Sequence, residues 1–452
     1  MTCQVQRWKD LWQWLPTEGD AGLSAMADTV PLGDFLTRVQ TPIDKNRFPL
    51  DELNIIDKIT FGGDLKIRPP KRKVGYKGPL FRADTGDLII SKIRVAQGSL
   101  CIVPSSLDHV AVSNEYPVYR PDQNQVHPAF LSLLLRSAQF QCALRSLRSG
   151  NTTKARLKPI DFEALPMPLP DPKNQRSLVA TYQKAQDKAA RLDQQAQQIE
   201  RDAQREFEAA LGLTPPPDLP KRPFQITRYR DIERWSHEGI LHRAISATKG
   251  SREGPPEALL GDLIDDIENG WSVQCATRPA KDDEWAILKI SAVSSGVFKP
   301  DQNKALPAKF KPRPTLEVHA GDLLITRCNI AHLVGVSALV QDVPPRLMLC
   351  DKIFRVLFRQ DSPICAAYLN AVLKTPDLRQ QIEGKVTGTS PTMKNISKQS
   401  LMELLIPVPD VPVQERLSEA WEGARKFATA KRKQATALRA AAWSDFIAAV
   451  FA

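Results

Sequence analysis

The sequence predicts an α/β chain with a pseudo-two-fold internal repeat, in which two similar globular domains are separated by two long helices forming an antiparallel coiled coil. Three observations carry this prediction. Short motifs recur in one order, at offsets that grow from 227 residues (Arg7 to Arg234) through 235 (Gly86 to Gly321) to 239 (Gln175 to Gln414). Each copy ends in a Gly/Ser/Thr-rich loop and a proline-punctuated turn, SGNTTKARLKPIDFEALPMPLPD from position 149 and TGTSPTMKNISKQSLMELLIPVPD from position 387. After each turn comes a long segment with apolar or Ala residues spaced alternately four and three apart, the pattern of a coiled-coil seam.

The elements follow in order. Arg7-Trp8 answers Arg234-Trp235, and Leu32-Gly33-Asp34 answers Leu260-Gly261-Asp262. GDLIISK at 86–92 answers GDLLITR at 321–327, in each case a Gly-Asp turn feeding a short apolar strand that ends in a hydroxyl and a cation. Between these matches the chain reads as short strands and turns, such as CIVPSS and HVAVS, with an occasional helix such as AAYLNAVLK. The slow growth of the offset is what small insertions in surface loops between fixed elements produce.

From 174 to 211 there is no Gly or Pro, and the seam falls at 178, 182, 185, 189, 192, 196, 199 and 203. The second copy has it at 417, 421, 424, 428, 431, 435, 438 and 442, with Lys431 as the one polar intruder. Leu178, Tyr182, Leu192 and Ile199 on the first helix, and Leu417, Trp421 and Leu438 on the second, are the candidate helix-pair interface. Each helix could instead lie on its own domain, but pairing buries both Ala-rich seams. The linker TPPPDLPKRP hands the chain to the second domain, so a paired second helix runs back antiparallel to the first. A helix of about 37 residues is roughly 55 Å long, which makes the pair a ruler between two heads.

Composition excludes several classes. At 452 residues, with 42% hydrophobic and 25% charged residues, the chain is long enough for two or three ordinary domains, and no apolar run approaches the roughly 18 residues of a membrane span. The amino terminus MTCQVQRWKD lacks the apolar core of a secretory signal, so a cytoplasmic location is expected. Seven cysteines are scattered singly, with no C-x-x-C pair and no histidine at metal-ligand spacing. The net charge of +11 favours a polyanionic partner. Both halves share it: positions 1–212 hold 29 Lys/Arg against 24 Asp/Glu, and 213–452 hold 33 against 27.

Candidate DNA contacts come from basic segments that recur. KIRPPKRKVGYKGPLFR at 66–82 holds seven cations and no acid, and its Pro and Gly predict an exposed loop rather than a helix. Its candidates are Lys71, Arg72, Lys73 and Lys77. Lys92 and Arg94 follow the first Gly-Asp strand, and Thr152, Thr153, Lys154 and Arg156 lie in the first hydroxyl-rich loop, whose N–H and hydroxyl groups suit phosphates or base edges. The matching residues of the second copy are Lys309, Lys311 and Arg313, then Arg327 and Asn329, then Thr389, Ser390, Thr392 and Lys394. Any one segment also reads as a solvated loop with ordinary surface lysines. Trp8, Trp12 and Trp14 read as packing residues rather than base-stacking ones, because Trp235 repeats Trp8.

These motifs, GDLIISK and GDLLITR, SGNTTK and TGTSPTMKNI, LPMPLPDPKNQRSL and LIPVPDVPVQERL, stand in a duplicated order with two heptad helices. In that order the chain resembles, over nearly all 452 residues, the specificity (S) subunit of type I restriction-modification enzymes. Where that family has Glu-Gln before the helix, this chain has Asn174-Gln175 and Val413-Gln414, a departure that bears on capping more than on identity. The resemblance implies target-recognition domains at 1–170 and 224–409, spacer helices at 171–212 and 410–452, and a linker at 213–223. It implies that each domain reads one half of a split double-stranded DNA target while the helices set the gap. It further implies a subunit with no catalytic site and no cofactor of its own. The resemblance also implies that two methylation (M) subunits, which bind S-adenosylmethionine, would dock on it, joined in complexes that also cut by two restriction/translocation (R) subunits. The flipped adenine would occupy a pocket of the partner.

Absent motifs agree with this reading. There is no G-x-x-x-x-G-K-[ST] loop, no HExxH and no Asn/Asp-Pro-Pro-Tyr/Phe tetrapeptide. Pro376-Asp377 with Glu383-Gly384-Lys385 resembles a nuclease signature, but Gln139, Arg145 and Leu147 stand at the equivalent places in the other copy. Two alternatives of other classes are a protein-scaffolding module with incidental charge and a free-standing DNA-binding repressor.

Overall fold

The computed structural model describes residues 29–74, 76–147, 156–213, 254–275, 278–281, 283–388, 390 and 393–451. The repeated Arg-Trp pairs, Trp12, Trp14 and all of the linker after Leu213 lie outside the described residues. The chain divides into two compact units, one formed by positions up to 193 together with those from 433 onward, the other by 194–432.

In the first unit, β1 (Thr29–Pro31) pairs with β10 (Pro166–Pro168), and eight strands between them form two four-stranded sheets. One sheet has the order β2 (Leu36–Val39), β9 (Val118–Pro121), β6 (Leu88–Ile90), β7 (Leu100–Ile102). The other runs β4 (Leu65–Ile67), β3 (Asn54–Ile59), β8 (Val110–Val112), β5 (Phe81–Ala83), with β3 and β8 parallel. Helices α2 (Pro128–Leu134), α3 (Ala138–Ser146) and α4 (Pro159–Glu163) bring Phe130, Phe140 and Phe162 into one core with Leu88, Ile90 and Tyr119. Ile89, whose side chain must point the other way on a strand, joins the second core with Ile56, Val112 and Val118. A strand covered on both faces is continuously apolar, which is why this run shows no alternation.

The second unit repeats the plan. β11 (Glu257–Leu259) pairs with β21 (Leu405–Pro407), as β1 does with β10. Strands β12 (Asp266–Asn269), β19 (Ile353–Leu357), β15 (Leu323–Thr326) and β17 (Ser337–Leu339) form one sheet in that order. β14 (Asn303–Ala305), β13 (Ala286–Leu288) and β18 (Leu347–Met348) form another, with β13 antiparallel to β14 and parallel to β18, as β3 is to β4 and β8. Leu323 and Ile325 face the core built on helices α7 (Ala366–Val372) and α8 (Pro376–Lys385), while Leu324 faces the other. The α6 turn (Leu260–Leu263) brings Gly261 against Met402 of α9 (Lys398–Met402), as Gly33 lies against Glu163: a Cβ at either glycine would come within 3.3 Å of its neighbour.

The duplicated Gly-Asp turn has a structural reason. Gly86 and Gly321 sit at φ of 87° and 93°, the left-handed region that a side chain disfavours. The following carboxylate pairs with an arginine on the neighbouring strand. Arg120 of β9 donates twice to Asp87, at 2.9 Å each, and Arg355 of β19 donates to Asp322 at 3.1 Å and to Glu268 at 2.9 Å.

Helices α5 (Pro172–Ala210) and α10 (Val411–Phe451) contribute a segment each to both units. In the first unit Tyr182 packs on Trp443 and Phe446, and Arg439 donates to Asp193 at 2.7 Å. In the second, Lys431 donates to Gln195, Arg432 makes a two-pronged bond to Glu200, and Phe207 packs on Trp421 with ring centres 5.3 Å apart. From Tyr182–Phe446 to Asp193–Arg439 in the first unit, and from Glu200–Arg432 to Phe207–Trp421 in the second, partner numbers on α10 fall as those on α5 rise, so the two segments run antiparallel. All sixteen seam positions are buried or half-buried, and Ala189, Ala196, Ala428 and Ala435 have no exposed surface. Leu178, Leu192, Ile199, Leu417 and Leu438 are half-buried there. Lys431 keeps a seam position by lying along Phe427, its ammonium 5.0 Å from the ring centre, and reaching Gln195 at the edge.

Each helix is rooted by one fully buried glutamine, at 0% exposure in both copies. Gln175 Nε2 donates to the carbonyls of Pro170 (2.7 Å) and Gln125 (2.8 Å), and its Oε1 accepts the N–H of His127 (2.8 Å). Gln414 does the same with Pro409 (2.8 Å), Pro363 (2.7 Å) and Cys365 (3.1 Å). In the second unit the carbonyl of Gly296 also accepts from Lys374 (3.1 Å) and from Arg425 of α10 (3.4 Å). Burial, reinforced by Arg425 and opposed by Glu422, pushes the Lys374 ammonium down to about 7.

Two outcomes follow. Replacing Gln175 or Gln414 by Ala orphans two carbonyls and one N–H and should cost about 2–4 kcal/mol in urea unfolding; a loss below ~0.5 kcal/mol would show the clamp to be dispensable. For Lys374, the unfolded chain holds the extra proton up to about pH 10 and the folded chain releases it near 7, so stability should rise with pH between those values. The difference in unfolding midpoint between pH 9 and pH 7 should therefore shrink in Lys374→Met, and an identical difference would refute it.

Candidate nucleic-acid interface

The basic segment at 66–82 departs from the expected open loop. It holds the end of β4, a single helical turn α1 (Pro70–Lys73) and the start of β5. Pro70 starts the turn because its fixed φ suits the first helical position and its missing N–H costs nothing there. Lys71, Arg72 and Lys77 are exposed. Lys73 is a correction: only 8% of it is exposed, and its ammonium donates to the carbonyls of Leu53 (2.6 Å) and Asp51 (3.3 Å), so it anchors the turn and leaves the contact set. Arg72 is partly committed to Asp57 at 2.9 Å.

Next to this turn lies an aromatic ring flanked by cations. The Arg68 guanidinium stands 4.7 Å from the Tyr76 ring centre and the Lys45 ammonium 5.4 Å from it. Lys45 also donates to the carbonyls of Gly78 (2.7 Å) and Tyr76 (3.2 Å), tying the loop down. The second unit builds the corresponding feature after β14. Arg313 lies 4.3 Å over the Trp271 ring, Phe310 meets Trp271 edge-on at 5.8 Å, and Lys309 lies 5.1 Å from the Phe310 ring centre. Lys309, Lys311 and Arg313 are exposed. Such stacking holds a guanidinium in one plane, and Arg68 is further held by an ion pair to Asp57 at 3.4 Å. Sequence reasoning missed all three rings. Tyr76 and Phe310 sit among cations, in KVGYK and KFKPR, and could have been noticed; nothing near Trp271 announces it.

The end of each Gly-Asp strand and the foot of each hydroxyl-rich loop are brought together. Leu157 N–H donates to the Lys92 carbonyl at 2.8 Å, and Ile396 N–H donates to the Arg327 carbonyl at 3.0 Å. In the second unit β16 (Cys328–Asn329) and β20 (Lys394–Asn395) pair, setting Asn329 opposite Lys394. Lys92 is half-buried, and that burial, against the pull of Glu115 and helped by Arg38 and Arg156, holds its ammonium below the usual lysine range. Arg94 is exposed; Arg156 is exposed but paired with Glu115 at 3.0 Å. Arg327 is half-buried, donating to the Asp351 carbonyl at 3.3 Å. Asn329 is engaged with Ser294 (3.1 Å) and its neighbour's N–H (2.9 Å). Lys394 donates to the Gly388 carbonyl at 2.7 Å, which closes the loop on itself. Ser390 is exposed, whereas Thr152, Thr153, Lys154, Thr389 and Thr392 lie outside the described residues.

The nuclease-like motif is accounted for by packing. Asp377 is buried at the first turn of α8, while Lys385 at its other end pairs with Glu403 at 3.0 Å. Among the described residues no group of His, Cys, Asp and Glu could hold a metal ion, and no helix is long and apolar enough to cross a membrane.

No family model matches the chain. A curated relative does: the type I restriction enzyme EcoEI specificity subunit of Escherichia coli is 25% identical over 400 residues, covering 75% of this chain and 67% of that protein. Among solved structures, a chain from a study of complex assembly and conformational transition of the type I R-M system aligns with a TM-score of 0.54 at 15% identity, covering 94% of this chain and 97% of that one. The HsdS subunit from Thermoanaerobacter tengcongensis aligns over 94% of this chain and 96% of its own at 15% identity, with a TM-score of 0.42, too low to add weight. Fold and duplicated motifs meet in one comparison: this chain is similar, over most of its length, to the specificity subunits of type I restriction enzymes.

Proposed function

We propose that this chain is the non-catalytic DNA sequence-recognition subunit of a type I restriction-modification complex acting in the cytoplasm. Positions 1–170 and 224–409 are its target-recognition domains, each reading one half of a bipartite double-stranded DNA target. The helices within 171–212 and 410–452, joined through the linker at 213–223, set the gap as an antiparallel coiled coil and dock two methylation subunits, with restriction subunits added where the complex also cuts. S-adenosylmethionine and the chemistry at adenine N6 belong to the methylation subunits. This chain contributes position and sequence choice.

One observation carries the reading. The segments after β4 and after β14 each hold an aromatic side chain beside cations, Tyr76 with Arg68 and Lys45 in the first unit and Phe310 with Lys309 in the second, among exposed lysines and arginines. Cations supply salt-dependent phosphate contacts, and rings and guanidinium planes are suited to base edges. Building this twice on one framework fits a target that is itself in two parts.

The test is to sequence methylated bases in cells that express the partner subunits, with and without this gene. A gapped adenine motif should vanish with the gene, and an unchanged methylome would refute the proposal. In binding assays with the assembled complex, Lys77→Ala and Lys311→Ala should each weaken DNA binding without changing the motif and lower the salt slope by about one. Unchanged affinity in both would remove these segments from the interface.

A further inference from the structure

The loop that carries the first unit's free cations also carries an apolar side chain in the open. Val74, which follows α1 between Lys71 and Lys77, is 84% exposed, more than any other large hydrophobic residue among those described. It is held in place from both sides. Before it, Lys73 is buried on the Leu53 and Asp51 carbonyls and Arg72 pairs with Asp57. After it, Tyr76 N–H donates back to the Lys73 carbonyl at 3.1 Å, and Lys45 grips the carbonyls of Tyr76 and Gly78. A β-branched side chain is stiff at χ1, so little freedom remains to be lost on contact.

Resting on the DNA-reading function proposed above, we propose that Val74 is a specificity-determining residue that reads a thymine in the first half-site through the C5-methyl group. Valine has no donor or acceptor, so it cannot sense the hydrogen-bonding pattern of a base edge. The one apolar group that distinguishes a base in the major groove is the thymine methyl. Side chains that wedge between bases are larger, such as Phe, Leu, Ile or Met, and work from the minor groove. Lys71 and Lys77 on either side bring the tip to the duplex through its phosphates. Among the described residues after β14 there is no counterpart, because Phe310 there is half-buried against Trp271. The readout therefore belongs to one half-site only.

The experiment uses the assembled complex and duplexes carrying its own gapped target, with each thymine of the two half-sites replaced in turn by uracil, which lacks only the methyl. Wild type should lose roughly fourfold in affinity at one thymine of a single half-site, the worth of about one buried methyl group. Val74→Ala should bind the thymine duplex roughly fourfold less well and be indifferent to uracil at that position. Val74→Ile should restore discrimination. Uracil tolerated at every position by wild type, or Val74→Ala still preferring thymine there as wild type does, would overturn the assignment while leaving target binding intact. A wild-type complex with no gapped target at all would instead overturn the function on which the assignment rests.

Discussion

A buried primary amide at the root of each long helix is the constraint from which the rest follows. Gln175 and Gln414 each tie three pieces of backbone together at one point: the proline turn before the helix, the helix itself, and the segment leading into α2 or α7. The job needs two donors and one acceptor at one point, at a side chain with no exposed surface. Glutamate would bring acceptors only, and asparagine would fall short by a methylene. With the amide in place, the first turn of each helix is fixed to the unit it starts from, and a helix fixed at its root can act as a measure.

Around this root the two units keep one framework and vary what it presents. The Gly-Asp turn, its arginine partner, the β1–β10 and β11–β21 pairs and the strand whose faces serve two cores are the same in both. The segments after β4 and β14 are not. One carries a helical turn with a valine tip and a tyrosine; the other carries a phenylalanine and an arginine that both pack on Trp271, a residue preceding β13. Invariant support under divergent exposed loops is what is needed to read two different half-sites with one fold.

Much of this was legible because repetition filters noise. Gly86 and Gly321 marked turns, which the structure shows to be left-handed at the glycine, and the four-three spacing picked out seam positions that are all at least half-buried. What stayed hidden depends on direction rather than identity. Lys73 sits in the most basic stretch of the chain, yet its side chain turns inward to two carbonyls, which composition cannot reveal. Arg120 and Arg355 drew no reading from the sequence, because their Asp partners stand 33 residues away in each copy and come alongside only in the folded sheet. The expected open loop at 66–82 contains a helical turn because Pro70 opens one where Gly and Pro elsewhere argued against it. Trp271 meets Arg313 across 42 positions, beyond any local pattern.

The central claim is that the paired helices measure the distance between two DNA-reading domains. It is tested most directly by inserting one heptad at matched levels of α5 and α10 and sequencing the methylated motif. Seven residues add about 10 Å of helix, or at most about three base pairs of duplex. The account predicts both half-sites unchanged with a longer gap between them. An unchanged gap, or altered half-sites, would contradict it.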